Sequence, residues 1–221
     1  MTSGFLNRAG AIACLVFCAA CAQVALMSVT PMIAALARHL DQRTASEIVE
    51  LEQKQDWPGM LGLARAQLQR EPGRADWWFL QGYALARQGQ HAVAIESYQQ
   101  AVRISPEDEA SWLALGRSQS ALGQMERAIQ TYRQALRYRP ESAPAYLALG
   151  DIYLGQRQPD LAIPNYRENV RYDPDSAQGW YGLAAAYQST GQRERRDEAL
   201  QGLRKLDSAA ADQFEKQYLS K

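Results

Sequence analysis

Cys18 and Cys21 are separated by two residues, which is the spacing of a redox dithiol or of half a thiolate metal site. Both lie inside an apolar run, where a cysteine behaves as a small packing residue. Cys14 lies in the same run, and no cysteine follows Cys21. We therefore expect neither a disulfide nor a thiolate metal site from Gln23 onward.

Acid–base chemistry would depend on His39 and His91, the two histidines of the chain. His39 adjoins the apolar run and His91 lies in a predicted turn, and neither has an acid or nucleophile partner at motif spacing. The sequence also has no phosphate-cradling glycine-rich loop, zinc-ligand set or nucleophile elbow. It therefore predicts a protein that is not an enzyme, with no cofactor, no metal and no small-molecule substrate.

Composition and charge limit the function classes further. An apolar fraction of 47% with 22% charged residues is typical of a folded protein. The chain has 24 basic and 24 acidic side chains, and residues 1–40 hold two of the arginines and no acid, so the remainder is slightly acidic. Because a nucleic-acid-binding protein needs a basic surface that displaces counterions, we expect no nucleic-acid partner.

The N-terminal segment is apolar. Residues 9–37 contain no charged side chain, and this length exceeds the roughly 20 residues that a helix needs to cross a bilayer. One interpretation is a cleavable signal peptide, with small residues before Gln23. Another is an uncleaved anchor, since the apolar run continues beyond that point, and a third is lipid attachment at Cys21. We expect residues 1–38 to be a signal peptide or a membrane anchor.

This segment leads to an expected location. Basic residues are mostly arginine, which is typical of a GC-rich bacterial source. We expect the remaining chain to be periplasmic, either soluble after signal cleavage or attached to the bacterial inner membrane. Arg8 on one side of the segment is balanced by Arg38 and Arg43 on the other, so a cytoplasmic orientation stays an alternative.

The rest of the chain contains an internal repeat. Pro72, Pro106, Pro140 and Pro174 recur every 34 residues. The units that we call the first to fourth repeats begin at Ala75, Glu109, Ala143 and Ala177. A fixed period of this length predicts a stack of similar structural units.

Several residue types coincide at the same positions of each unit. Position 4 holds Trp78, Trp112, Tyr146 and Trp180, and position 8 holds Gly82, Gly116, Gly150 and Ala184. Position 20 holds Ala94, Ala128 and Ala162, and position 24 holds Tyr98, Tyr132 and Tyr166. Small residues at 8 and 20 let two antiparallel helices approach closely, and the aromatic residues fill the space beside them. Glycine at position 15 ends the first helix with a positive φ, and proline at position 32 ends the second.

This pattern resembles the tetratricopeptide-repeat family over residues 41–206. The resemblance implies an all-α fold, a right-handed solenoid of antiparallel helix pairs, here preceded by an N-terminal apolar helix. It implies a degenerate unit at 41–74, full repeats at 75–108, 109–142 and 143–176, and a degenerate repeat with a capping helix at 177–221.

Some residues depart from the pattern. Gln81 at position 7, Arg157 at position 15 and Asn169 at position 27 are expected to weaken packing. Arg196 stands at position 20 of the fourth repeat, where a long charged side chain does not suit a close helix crossing. We expect a turn lengthened by three residues, which would bring Ala199 to that place.

The resemblance also implies a binding surface, because positions 2, 5, 9, 12 and 13 of the first helices commonly line the concave face in this family. The implied partner-binding residues are Phe79, Tyr83, Arg87, Leu113, Arg117, Leu147, Asp151, Leu154, Tyr181 and Gln188. Aromatic and arginine side chains carry much of the energy of interfaces, so we expect an extended peptide or an amphipathic helix of another protein as the ligand. The alternative is that Phe79 and Leu147 cover neighbouring helices and Arg117 is solvated.

The resulting functional expectation is a scaffold or adaptor at a bacterial cell envelope that assists the assembly of a larger complex. The alternative is a structural accessory subunit that is held in a membrane complex mainly through its N-terminal helix.

Overall fold

The computed structural model describes residues 40–219 together with Ile33 and Leu36. Residues 40–219 form eleven α-helices and contain no strand. The helices are α1 (Gln42–Gln53), α2 (Trp57–Arg70), α3 (Ala75–Arg87), α4 (His91–Ile104), α5 (Glu109–Ala121), α6 (Met125–Tyr138), α7 (Ala143–Gly155), α8 (Pro159–Tyr172), α9 (Ala177–Ser189), α10 (Arg193–Leu206) and α11 (Ser208–Tyr218). The chain divides into two compact units, residues 1–63 and 64–221, each described here by itself.

In the first unit, aspartates fix the starts of both helices. The side chain of Asp41 accepts a hydrogen bond from the backbone N–H of Thr44 at 3.0 Å, and Asp56 accepts one from Gly59 at 2.9 Å. Each satisfies a backbone donor that the first turn of a helix leaves without a partner. Between the helices the chain turns through Gln55, whose φ is +53°.

In the second unit, consecutive helices pack against each other from α3 to α11. In the four repeats, three residues join the helices of a pair and four residues join one pair to the next. Connections this short bring each helix back against the one before it. First helices also touch one another, α3 with α5 and α7 with α9, so they share one side of the stack, and α9 touches the capping helix α11.

The close crossing within each pair follows from glycine and tyrosine at fixed positions. A Cβ atom at the position-8 glycines would lie 2.6 to 2.8 Å from the ring of the position-24 tyrosine, in the pairs Gly82–Tyr98, Gly116–Tyr132 and Gly150–Tyr166. The three rings are at most 2% exposed. The predicted interlocking of small and aromatic residues is therefore confirmed.

The tryptophan at position 4 donates a hydrogen bond that its position in the repeat does not predict. The indole N–H of Trp112 donates to the carbonyl of Pro106 at 2.7 Å. The same bond joins Trp78 to Pro72 at 2.8 Å and Trp180 to Pro174 at 2.9 Å. The repeated prolines thus also present a carbonyl to the tryptophan that follows six residues later.

The expectation for the fourth repeat is wrong. Helices α9 and α10 are joined by the same three-residue turn as the other pairs, and Arg196 itself occupies position 20 with 9% of its surface exposed. Its guanidinium donates to the side-chain oxygen of Gln188 at 2.7 Å and to Asp197 at 2.7 and 2.8 Å. A buried charge is tolerated when it is paired and hydrogen-bonded, so no longer turn is needed.

Two other departures are accommodated by hydrogen bonds. The side-chain amide of Gln81 donates to the hydroxyl of Ser97 at 3.0 Å, and that of Asn169 donates to the carbonyl of Ala143 at 3.0 Å. Gly179 provides space beside Asn169, since a Cβ there would lie 1.7 Å from its side-chain oxygen. Whether these residues weaken the packing stays a prediction.

The predicted signal or anchor segment, with Cys21, lies outside the described residues except for Ile33 and Leu36. Among the helices that the structure describes, none combines the length and the apolar character needed to cross a membrane.

Candidate functional site

The ten residues predicted to contact a partner lie on the first helices of the four repeats, but they differ in exposure. Phe79, Tyr83 and Leu113 are 4%, 5% and 8% exposed. The ring of Phe79 lies 5.8 Å from that of Tyr98 and stacks on Tyr83 at 6.3 Å. In this structure these three residues pack into the core, as the alternative for Phe79 anticipated, and they present little surface to a partner.

The other seven predicted residues are half-buried: Arg87, Arg117, Leu147, Asp151, Leu154, Tyr181 and Gln188. Leu147 and Leu154 on α7 pack against the buried core and keep part of their apolar surface accessible. A ligand could reach these side chains without any rearrangement of the core.

Arg117 and Asp151 form the charged centre of this set. They occupy position 9 of neighbouring first helices, α5 and α7, and both act on Tyr132. Burial raises the pKa of Tyr132 to about 12, the charge of Arg117 lowers that pKa, and Asp151 raises it. A neutral tyrosine therefore lies within reach of one positive and one acidic side chain.

Asp151 is held by two hydrogen bonds. Its carboxyl oxygens accept from the hydroxyl of Tyr166 at 2.8 Å and from the side-chain amide of Gln178 at 3.2 Å. Burial raises the pKa of Asp151 to about 7, although both hydrogen bonds favour the charged form. The group can therefore gain or lose a proton near neutrality, and a cationic group of a ligand would favour its charged form.

The two predicted residues in the fourth repeat, Tyr181 and Gln188, contact other side chains of this protein. The ring of Tyr181 meets the edge of Phe214 on α11 at 5.3 Å, and burial raises the pKa of Tyr181 to about 12. The side-chain oxygen of Gln188 accepts from Arg196. Tyr181 and Gln188 therefore contact side chains of the capping helix and of α10, whereas Arg117, Leu147, Asp151 and Leu154 lie on the neighbouring first helices α5 and α7.

Sequence reasoning missed the residues that position Asp151. The repeat pattern predicts Tyr166 as a packing residue and does not distinguish Gln178, yet both donate to this carboxylate. The sequence offered one signal for this contact: in the third repeat, an aspartate at position 9 accompanies the tyrosine at position 24. Gln178 comes from the next repeat, so its role depends on how repeats stack.

The described part of the chain was expected to hold no metal site and no catalytic histidine. Within the described residues, no three His, Cys, Asp or Glu side chains are grouped so that they could hold a metal ion. His91 is half-buried at the first residue of α4, and His39 lies outside the described residues.

Comparisons with known proteins bear on the fold. A tetratricopeptide-repeat family model matches residues 60–109 and 147–211, and a second one matches residues 85–150 and 121–163. No curated protein sequence matches the chain.

Solved structures with a similar fold include a crystal structure of MamA, which is 20% identical, with a TM-score of 0.66 over 74% of this chain and 95% of that one. MamA from Desulfovibrio magneticus RS-1 is 26% identical, with a TM-score of 0.56 over 61% of this chain and 76% of that one. YrrB, a tetratricopeptide-repeat protein with an unusual peptide-binding site, is 18% identical, with a TM-score of 0.61 over 75% of this chain and 87% of that one.

The first of these family models alone spans more than half of the chain, and the helix pairs repeat with the period of that family. The chain therefore belongs to the tetratricopeptide-repeat family.

Proposed function

We propose that this protein is a scaffold that holds an extended peptide or an amphipathic helix of a partner protein against its first helices. The observation that carries the proposal is the half-buried set of Arg117, Leu147, Asp151 and Leu154, which combines apolar surface with one positive and one acidic group. Such a mixture is typical of peptide-binding surfaces, where apolar anchors supply affinity and charges supply specificity. Family membership supports the same class of function, since the repeats generally serve protein interaction.

We further propose that the scaffold works at a bacterial cell envelope, on the periplasmic side, and assists the assembly of a larger complex. The support is the apolar run of residues 9–37, which is long enough to address or anchor the chain to a membrane.

The scaffold proposal is tested by replacing Arg117 with Glu and Leu147 with Ser in one variant. Crosslinking in the native host followed by mass spectrometry first identifies the proteins bound by the unchanged chain. We expect the variant to lose those proteins, because it reverses a charge and removes an apolar anchor on the same face.

The matched control replaces Arg137 with Glu and Leu122 with Ser, both exposed and outside the set. It carries the same two chemical changes and should retain the partners. Helical circular dichroism verifies that both variants fold. Equal capture by both variants would show that the first-helix face is not the binding surface.

The second candidate function is an accessory subunit held in a membrane complex through its N-terminal helix, which the same apolar run favours. Deletion of residues 1–38 distinguishes the scaffold function from the accessory-subunit function. A scaffold should still bind its partner through the repeats in vitro, whereas a subunit held by its helix should dissociate from its complex.

A further inference from the structure

A second surface of the repeat stack has the features of a binding site and is separate from the first-helix face. It is an open cleft of about 340 Å³ between α8, α9 and α10. The residues that line it are Arg167, Val170, Arg171, Trp180, Leu183, Tyr187, Arg195, Glu198 and Ala199. We call it the arginine cleft.

The arginine cleft faces away from the proposed partner-binding surface. On α9 it uses positions 4, 7 and 11, namely Trp180, Leu183 and Tyr187, whereas the predicted partner-binding residues of the same helix are at positions 5 and 12. At 3.6 residues per turn, the two sets are centred roughly 120° apart around the helix axis. A ligand in the cleft would therefore leave the first-helix face accessible.

Charge in the cleft is unbalanced. Three guanidiniums face one carboxylate, that of Glu198, although the chain as a whole is neutral. Arg171 is paired with Glu168 at 2.5 Å, and Arg195 donates to the side-chain oxygen of Gln192 at 2.9 Å. Arg167 is exposed, and its guanidinium forms neither a hydrogen bond nor an ion pair within the described part of the chain.

The floor of the cleft is apolar. Leu183 and Ala199 are 5% and 1% exposed, and Val170 and Trp180 are half-buried beside them. The indole N–H of Trp180 is already bonded to the carbonyl of Pro174, so the ring offers the cleft an apolar surface. Guanidiniums around an apolar floor suit a ligand that combines carboxylates with an apolar side chain.

One repeat earlier, the equivalent position lies between α6, α7 and α8 and has different side chains. There, positions 19, 22 and 23 hold Leu161, Pro164 and Asn165 instead of Arg195, Glu198 and Ala199. The position-25 guanidinium of Arg133 donates to the hydroxyl of Tyr153 at 2.9 Å. Arg167 and Tyr187 are the same residue types one repeat later, but that hydrogen bond is not formed. The third repeat thus leaves the guanidinium of Arg167 available, whereas the second uses that of Arg133 in a hydrogen bond to the next repeat.

We propose that the arginine cleft binds an acidic segment of a partner protein, with an apolar side chain on the floor and flanking carboxylates on Arg167 and Arg195. The occupant follows from charge complementarity to the guanidiniums of Arg167 and Arg195, since that of Arg171 is already paired with Glu168. The apolar floor favours a peptide over a small inorganic anion, which could use the charges but not the floor.

The test measures fluorescence anisotropy of a labelled peptide in which leucines alternate with pairs of glutamates, added to the full chain. The unchanged protein should bind this peptide, with affinity that falls as NaCl is raised, and should bind the glutamine counterpart at least roughly tenfold more weakly. The variant with Arg167→Glu and Arg195→Glu should bind the glutamate peptide at least roughly tenfold more weakly.

The control variant combines Arg127→Glu and Arg137→Glu, which make the same charge change on exposed residues of α6. Arg127 contacts Gln124 at 3.2 Å, as Arg195 contacts Gln192, so the local surroundings are matched. This control should bind the peptide within about twofold of the unchanged protein, and so should the Arg117→Glu and Leu147→Ser variant.

Three results would overturn the proposal. They are equal weakening by the cleft and control variants, equal binding of the glutamine peptide, and displacement of the peptide by millimolar inorganic phosphate beyond the effect of NaCl at equal ionic strength. A fourth result, loss of binding in the Arg117→Glu and Leu147→Ser variant alone, would also overturn it and would assign the peptide to the first-helix face.

Discussion

Asp151 has a carboxyl group whose pKa burial raises to about 7, whereas an unfolded aspartate titrates near 3.9. Between these values the folded state keeps a proton that the unfolded state has released. Rising pH therefore lowers the free energy of unfolding through this window, and the loss is complete above the folded pKa. The titration of this single residue should thus be visible in the stability of the whole protein.

We predict that Asp151→Asn, which cannot ionise, raises Tm relative to the unchanged protein more at pH 8 than at pH 5. Thermal melts followed by circular dichroism at both pH values measure this. Asp175→Asn, an exposed aspartate in the loop before α9, is the control and should give no such difference. The same Tm change at both pH values for Asp151→Asn would contradict the assignment.

Arg157 has a φ of +59° at the position where Gly89, Gly123 and Gly191 have +76°, +73° and +72°. A side chain in this conformation brings Cβ close to the backbone, which costs about 1 kcal/mol. We predict that Arg157→Gly raises the free energy of unfolding by roughly that amount, and that Gly123→Ala lowers it comparably. Urea unfolding curves measure both, and a loss of stability in Arg157→Gly would refute this account.

At the scale of the helix pair, the crossing distance depends on a missing side chain. A Cβ on Gly116 would lie 2.6 Å from the ring of Tyr132, so α5 and α6 could not keep their separation. We predict that Gly116→Ala costs about 1 to 3 kcal/mol despite the higher helix propensity of alanine. Chemical denaturation measures the difference.

Gly155 is the matched control for this substitution. It also lies in a first helix, and no atom within 4 Å would meet a Cβ there. Gly155→Ala should leave the stability unchanged or raise it. A similar loss of stability in both variants would mean that the close contact with Tyr132 does not explain the effect of Gly116→Ala.

At the scale of the whole repeat stack, the last pair needs a cover for its apolar side. Helix α11 supplies it: Phe214 is fully buried, and its ring also lies 4.6 Å from that of Tyr218. We predict that Phe214→Ala lowers the free energy of unfolding by about 3 to 5 kcal/mol. Differential scanning calorimetry measures the loss, and the exposed Gln213→Ala should melt like the unchanged protein. An unaltered melt for Phe214→Ala would show that α11 does not stabilise the stack.

Four features could be predicted from the amino-acid sequence alone: the period, the helix pairs, the crossing glycines and the left-handed turns at Gly89, Gly123 and Gly191. These features follow from residues close in the chain and repeated every 34 positions, so they can be predicted without coordinates.

Which side chains a partner can reach depends on how the helices pack. Phe79 and Arg117 stand at first-helix positions that the repeat pattern treats alike, yet the first packs into the core and the second stays half-exposed. Burial raises the pKa of Asp151 against the opposite effect of its hydrogen bond from Gln178 of the next repeat. Arg196 becomes acceptable because Gln188 and Asp197 pair with it. The arginine cleft arises from three different helices. Burial, pairing and charge balance depend on neighbours distant in sequence, and those neighbours are specified only when the repeats are stacked.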